Sequence, residues 1–308
     1  MPDGSPAPPP AKIPAAPGWL SPNVRSGESG PLVYAGIKGN GEVLIYSETG
    51  YNQAPIGKIT SGVSAPWGLY VDKNGSLYVA NQPSPHNGGT VKVYPAGSLS
   101  PSTTYSQDLY RPLYPIVDQY GDLFVGNGNA YAGGGTVVEY QAGSTNAYQV
   151  LKTPGTEVDG MDFDPEGNLY VAYRVTNDDR GLGSIEEFAP GSAQGRILGM
   201  KVHKPQGLIV DNEGDIVVAE TATNTKVIAV FRPGKRRPEI RVKLPTGSDA
   251  TQIAITEDES RFFVASYTDG NIYVLPYPLS KESTWTVLDQ TPGQGQLQGI
   301  ALSNGQVF

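Results

Sequence analysis

One short block recurs along this chain at an almost constant interval. An Asp-x-x-Gly step, then an apolar residue, a β-former, Val and a small residue, spans 72–80, 118–126, 164–172 and 211–219. A degenerate fifth copy ends in Ser260-Arg-Phe-Phe-Val-Ala265, and a truncated sixth in Ser303-Asn-Gly305-Gln-Val-Phe308. The last turn residues fall at 75, 121, 167, 214, 260 and 305, steps of 46, 46, 47, 46 and 45 residues. A period in the forties, made of strands and tight turns, is the signature of a propeller blade. Composition points the same way. Glycine (39), proline (27) and tyrosine (18) are abundant and charged residues are only 17%, which favours turns and aromatic strands over helices.

Four strands can be traced in each repeat. In the first full one, strand A is Gly68–Val71, B is Leu77–Asn81, C is Thr90–Tyr94 and D lies near Thr103–Gln107. The Asp-x-x-Gly link between A and B suits a tight hairpin, with Asp capping the turn and Gly supplying positive φ, so these residues are structural first. Strand C recurs at 41–46, 89–94, 135–140, 183–188, 226–231 and 270–275, ending in an aromatic residue in five of six copies. Such alternation indicates faces buried between neighbouring sheets. Six copies of strand C give six blades. The last strand A, Gln298-Gly-Ile-Ala-Leu302, has no strand C after it, and the first strand C has no strand A before it. The predicted fold is therefore all-β: a six-bladed β-propeller of four-stranded antiparallel blades, closed by N- and C-terminal strands sharing one blade. Strand B of that blade is matched by both Leu32-Val-Tyr-Ala35 and Gln306-Val-Phe308. Residues 1–30 read as a Pro/Ala-rich disordered spacer and lead-in, and residues 31–308 as the propeller.

Pro66-Trp-Gly-Leu with Asp72, Gly75 and Leu-Tyr-Val-Ala80, and Pro205-Gln-Gly-Leu with Asp211, Gly214 and Val-Val-Ala219, resemble NHL-type repeats. More broadly the chain resembles the six-bladed superfamily of senescence-marker-protein-30-like lactonases, strictosidine-synthase-like proteins and streptogramin B lyases. The resemblance covers residues of about 31–308. It implies a ligand site over the central channel, at the face where the D–A and B–C loops emerge. It does not imply one activity, since this fold hosts binding modules, lyases and hydrolases.

Net charge is −8 with a pI near 4.9, a field that repels phosphate backbones and disfavours nucleic acid as a partner. The basic run Lys235-Arg236-Arg237 with Arg241 and Lys243 reads as a solvated hairpin. With no cysteine, thiolate nucleophiles, disulfides and zinc–thiolate sites are ruled out. No apolar stretch approaches the length of a membrane span. A Pro/Ala spacer ahead of a β-domain resembles the mature N-terminus of an exported protein, so the expected location is secreted, periplasmic or lipid-tethered, with the signal outside this sequence. A monomer is expected.

Two rings of positions should surround the channel mouth. The starts of strand A give Trp67, Leu113, Asp159, Gln206, Thr251 or Gln252, and Gln298; the ends of strand B give Asn81, Asn127, Tyr173, Glu220 and Ser266. Scaffold residues between the rings recur while the rings vary, as expected where function is grafted onto a fixed frame. Tyr114, Tyr131 and Tyr267 join this expected lining. A lactonase-type site needs several oxygens converging on one divalent cation. Asp159 and Glu220 are the candidate calcium ligands, with Asn81 and Asn127 in support, yet each lies on a different blade. Where the family carries Asn before the strand-A Gly, this chain has Trp67, Asp159, Gln206 and Gln298. A lyase-type pair would set Glu220 against a strand-A His. Gln206 stands there instead and cannot shuttle a proton, leaving His203 as the nearest imidazole; His86 lies in another blade's B–C loop. Asp178-Asp179 in the B–C loop 174–181 is a further possible cation holder. No G-x-S-x-G elbow, P-loop or H-E-x-x-H is present. The leading expectation is a binding or scaffold module without a cofactor that recognises a polar small molecule, glycan or protein through Trp67, Asn81, Asn127, Tyr173, Gln206, Gln252, Ser266 and Gln298. The alternative is a metal-assisted lyase or hydrolase with Glu220, Asp159 and His203 as catalytic candidates.

Overall fold

The computed structural model describes residues 30–82, 88–128, 134–175, 181–290 and 296–305, and every regular element among them is a β-strand. Six antiparallel sheets follow one another around a ring. Blade 1 comprises Pro66–Val71, Leu77–Asn81, Thr90–Tyr94 and Thr103–Tyr105 as strands A to D. Blade 2 comprises Pro112–Val117, Leu123–Asn127, Thr136–Tyr140 and Gln149–Lys152. Blade 3 has Glu157–Phe163, Leu169–Arg174 and Leu182–Phe188, with its outer edge in two pieces, Arg196–Ile197 and Val202–His203. Blade 4 has Pro205–Val210, Ile216–Ala222, Thr225–Phe231 and Ile240–Lys243, and blade 5 Ala250–Ile255, Arg261–Ser266, Asn271–Pro276 and Thr286–Gln290.

Blade 6 closes the ring. Its strand A is Leu297–Leu302 from the C-terminal end, and strands B to D are Leu32–Ile37, Glu42–Ser47 and Gly57–Ile59. Val33 pairs with Leu302 and Ile37 with Leu297, so the N-terminal match fills the strand-B slot. Residues 306–308, the competing match, lie outside the described residues.

The recurring Asp residues cap their hairpins. Asp72 Oδ1 accepts the N–H groups of Asn74 (2.9 Å) and Ser76 (2.8 Å), and Gly75 sits at φ 77°. Asp118 and Asp211 repeat the contact. In blade 5 the hydroxyl of Thr256 takes the N–H groups of Ser260 and Arg261, which explains how the degenerate repeat still turns. The aromatic strand-C ends Tyr46, Tyr94, Tyr140, Phe188 and Phe231 are buried between blades. Each sheet thus buries both faces against its neighbours, and the core is a set of wedges radiating from the axis.

Candidate functional site at the channel mouth

The inner strands approach closely enough that the repeated strand-A Gly is a steric requirement. A Cβ on Gly68 would lie 2.0 Å from the Leu113 carbonyl oxygen, and one on Gly299 2.2 Å from that of Trp67. Two blades break this rule. Tyr114 and Gln252 occupy the equivalent positions in blades 2 and 5, which face each other across the ring. The Tyr114 hydroxyl lies 2.8 Å from the Gln206 carbonyl oxygen and 2.9 Å from that of Thr251, so it bridges to blades 4 and 5. Gln252 reaches the other way. Its Oε1 accepts the N–H groups of Leu69 and Ile300 (both 3.0 Å), and its Nε2 donates to the Leu69 carbonyl (2.7 Å). Together they plug the channel. Gln252 and Tyr114, expected among the ligand contacts, are spent on backbone inside the plug and do not face the mouth. Beneath them remains a cavity of about 70 Å³, lined by aliphatic residues and by Asp162. Burial pushes the Asp162 carboxyl up to about 8.

Above the plug, all six blades carry a β-bulge where strand A begins, between Pro66/Leu69, Pro112/Tyr114, Val158/Gly160, Pro205/Leu208, Ala250/Ile253 and Leu297/Gly299, the last skipping Gln298. Bulges re-aim side chains, and the variable ring Trp67, Leu113, Asp159, Gln206 and Thr251 falls inside them. At the residue just before strand A, Ala65, Lys204 and Gln296 have φ of 47°, 45° and 84°. Left-handed backbone at non-glycine residues carries strain that the surrounding structure must hold.

The strand-B ring differs from the sequence expectation. Asn81, Asn127, Tyr173, Glu220 and Ser266 are all at most 2% exposed and turn toward the loop that enters strand A of their own blade. They tether the loop that enters strand A. Asn81 Oδ1 accepts the Ser64 N–H (2.8 Å), Asn127 Oδ1 accepts those of Tyr110 (3.0 Å) and Arg111 (2.8 Å), and Ser266 Oγ accepts that of Asp249 (3.2 Å). Tyr173 packs on Gly155, where a Cβ would come within 2.4 Å of its ring. Glu220 takes the His203 backbone N–H and the Arg241 guanidinium (3.1 Å). The 14-residue spacing between the rings therefore measures a hairpin whose end grips its own entry loop.

The mouth itself is an ion network. Arg174 forks onto Asp159, Nε to Oδ2 at 2.7 Å and Nη2 to Oδ1 at 3.0 Å, and its Nη1 lies 3.4 Å from Glu157 Oε2. Arg111 holds the other oxygen of Glu157. Burial raises the Asp159 carboxyl, against the pull of Arg174. Burial likewise raises Glu220, opposed by Arg241 and by His203, whose Nδ1 is 3.9 Å from Glu220 Oε1. Lys38 is different: its Nζ sits 4.3 Å over the Trp67 ring, and no carboxylate lies within ion-pair range of it among the described residues. Burial and Arg111 together lower its pKa. Gln206 and Gln298 complete the site, the latter with a buried Oε1 that has no partner. Sequence reasoning did not single out Lys38, Arg111 or Glu157. The available signal was the alternation Arg111, Glu157, Lys204, Asp249 at the repeat interval, two residues before the variable strand-A ring.

A divalent cation does not fit these residues. Asp159 and Glu157 are paired with arginines, Glu220 gives its Oε2 to Arg241, and no three Asp, Glu or His residues converge among the described residues. His86, Tyr131 and Asp178-Asp179 lie outside the described residues.

No family model and no curated protein matches this sequence. Solved structures do match. Hydrazine synthase from Kuenenia stuttgartiensis is similar over 85% of this chain and 79% of its own, at 13% identity and a TM-score of 0.61. The periplasmic gluconolactonase PpgL of Pseudomonas aeruginosa is similar over 86% of this chain and 84% of its own, at 17% identity and a TM-score of 0.60. The fold these structures share with the chain is the six-bladed β-propeller. At such identities the likeness concerns the fold alone.

Proposed function

We propose that this propeller is a recognition module whose mouth binds a carboxylated, hydroxyl-rich ligand of the sugar-acid class. The observation that carries this is Lys38, a half-buried ammonium held over Trp67 beside Arg111 with no anion of its own among the described residues. A buried cation is costly unless paired, and a ligand carboxylate would supply the pair. Gln206 and Gln298 offer neutral amides to hydroxyl groups, and the partnerless Gln298 Oε1 is an acceptor in want of a donor. The fixed arginines around Asp159 and Glu157 add rigidity without a proton donor or acceptor poised for chemistry. Export, suggested by the Pro/Ala-rich leader, belongs to the same proposal.

A second reading, a lyase or hydrolase, is supported by the likeness to PpgL and by the approach of His203 to Glu220. Against it, Glu220 is 0% exposed and one of its oxygens is held by Arg241. Calorimetry with glucuronate and oligogalacturonate separates the two. Binding without turnover, weakened about tenfold by Lys38→Met, supports recognition. No binding, or binding indifferent to Lys38→Met, overturns it. Turnover that Glu220→Gln abolishes would establish the second reading.

A further inference from the structure

We infer that the cleft between blades 2 and 3, on the face opposite the mouth, binds an organic polycation of the linear polyamine class. The cleft encloses about 500 Å³, within the range of small-molecule sites. Its floor is apolar, with Phe124 and Phe163 packed edge to face at 5.2 Å. Its walls carry Asp118, Asp122, Glu139, Asp164 and Glu166, and no Lys or Arg. Tyr120 and Tyr148 stand at its rim, 76% and 60% exposed.

Glu139 is the residue that points to a ligand. Its position in strand C is held by Ile45, Val93, Val230 and Val274 in blades 6, 1, 4 and 5, so a core-facing aliphatic has been exchanged for a carboxylate. Blade 3 makes the same exchange at Glu187, but there the residue opposite on strand D is Arg196, which pairs with it. Opposite Glu139 stands Gln149, whose amide donates to Oε2 (2.6 Å) and leaves the charge uncancelled. Glu139 is only 7% exposed, and burial raises its pKa, with Asp122 and Asp118 adding to the effect. The corresponding cleft between blades 3 and 4 supplies its own cations, Arg196, Lys235 and Arg236. Among the described residues no Lys or Arg lines the cleft between blades 2 and 3; the nearby Lys73 ammonium is spent on the Gln119 carbonyl (2.6 Å).

An extended cation satisfies this arrangement better than a metal ion. The carboxylates are strung along the cleft instead of converging on one point. Ammonium groups separated by methylene segments would place charge at the acids and hydrocarbon on the phenylalanine floor. The exposed tyrosine faces would add cation–π attraction.

The test is calorimetric titration of the full chain with spermidine, alongside hexalysine and calcium. Glu139→Gln and Asp122→Asn serve as cleft variants, and Lys38→Met as a variant at the opposite mouth. Thermal melts confirm that each is folded, and Glu139→Gln retains the side-chain contact with Gln149. Spermidine should bind one to one, weaken steeply with added salt, and lose about tenfold in affinity in Glu139→Gln while Lys38→Met binds normally. Absence of spermidine binding, or affinity unchanged in both cleft variants, overturns the inference. So does preferential binding of hexalysine, which would assign the cleft to a protein partner, or of calcium, which would assign it to a metal.

Discussion

Replacing Arg174 by Met tests whether the mouth is held by charge or by shape. Arg174 makes both short contacts to Asp159 and the 3.4 Å contact to Glu157, while Asp159 is 2% exposed. Met keeps much of the side-chain volume, so the main loss is the guanidinium. Glu157 retains Arg111, but Asp159 loses its only contacting cation among the described residues. Removing one partner of a buried pair typically costs about 3–5 kcal/mol, or roughly 6–10 °C in Tm at ~2 °C per kcal/mol for a chain of this size. The loss should depend on pH. Asp159 already has a folded pKa above its unfolded value because it is buried, so its ionised form disfavours folding and the handicap lessens as pH falls through the folded pKa. Without Arg174 that pKa rises further. The difference between variant and parent should therefore be largest near pH 8 and shrink toward pH 5, where the carboxyl takes up a proton. Adding Asp159→Leu to Arg174→Met should recover most of the stability at pH 8. Urea denaturation at both pH values reads these quantities. A deficit below about 1 kcal/mol at pH 8, or one that does not change with pH, refutes the claim that the ion pair rather than packing fixes the mouth.

Tyr114→Phe should lower stability by about 1–3 kcal/mol, measured by the same denaturation, because the Gln206 and Thr251 carbonyls lose the hydroxyl they share. Gly299→Ala should be far more damaging, since the added Cβ meets the Trp67 backbone oxygen at 2.2 Å and blades 6 and 1 must part. Loss of soluble, folded protein on expression, judged by circular dichroism and gel filtration, is the expected result.

The repeat made the architecture legible because each 46-residue unit carries its own turn chemistry and its own alternation. Asp72 and Gly75 read as a capped hairpin, and that is what they form. The aromatic ends of strand C read as inter-blade core, and they are buried there. The structural role of the strand-B ring was not legible, for a physical reason. Periodicity locates a residue along a strand, but the twist of the sheet decides which neighbour its side chain meets, and Asn127 meets the backbone of Arg111. The plug was equally hidden. Tyr114 and Gln252 show in the sequence only as exceptions to a glycine position; that they stand opposite one another depends on the ring being closed.

Local chemistry repeated along the chain determined the blades, their number and their order, because turn formation and strand alternation act over a few residues. The closing partner of Leu297–Leu302, the sealing of the channel, the pairing of Arg174 with Asp159 and the isolation of Lys38 and Glu139 from opposite charge among the described residues were decided only in three dimensions. Charges in neighbouring blades lie one whole repeat apart in sequence, and only ring closure sets the few ångströms over which they act.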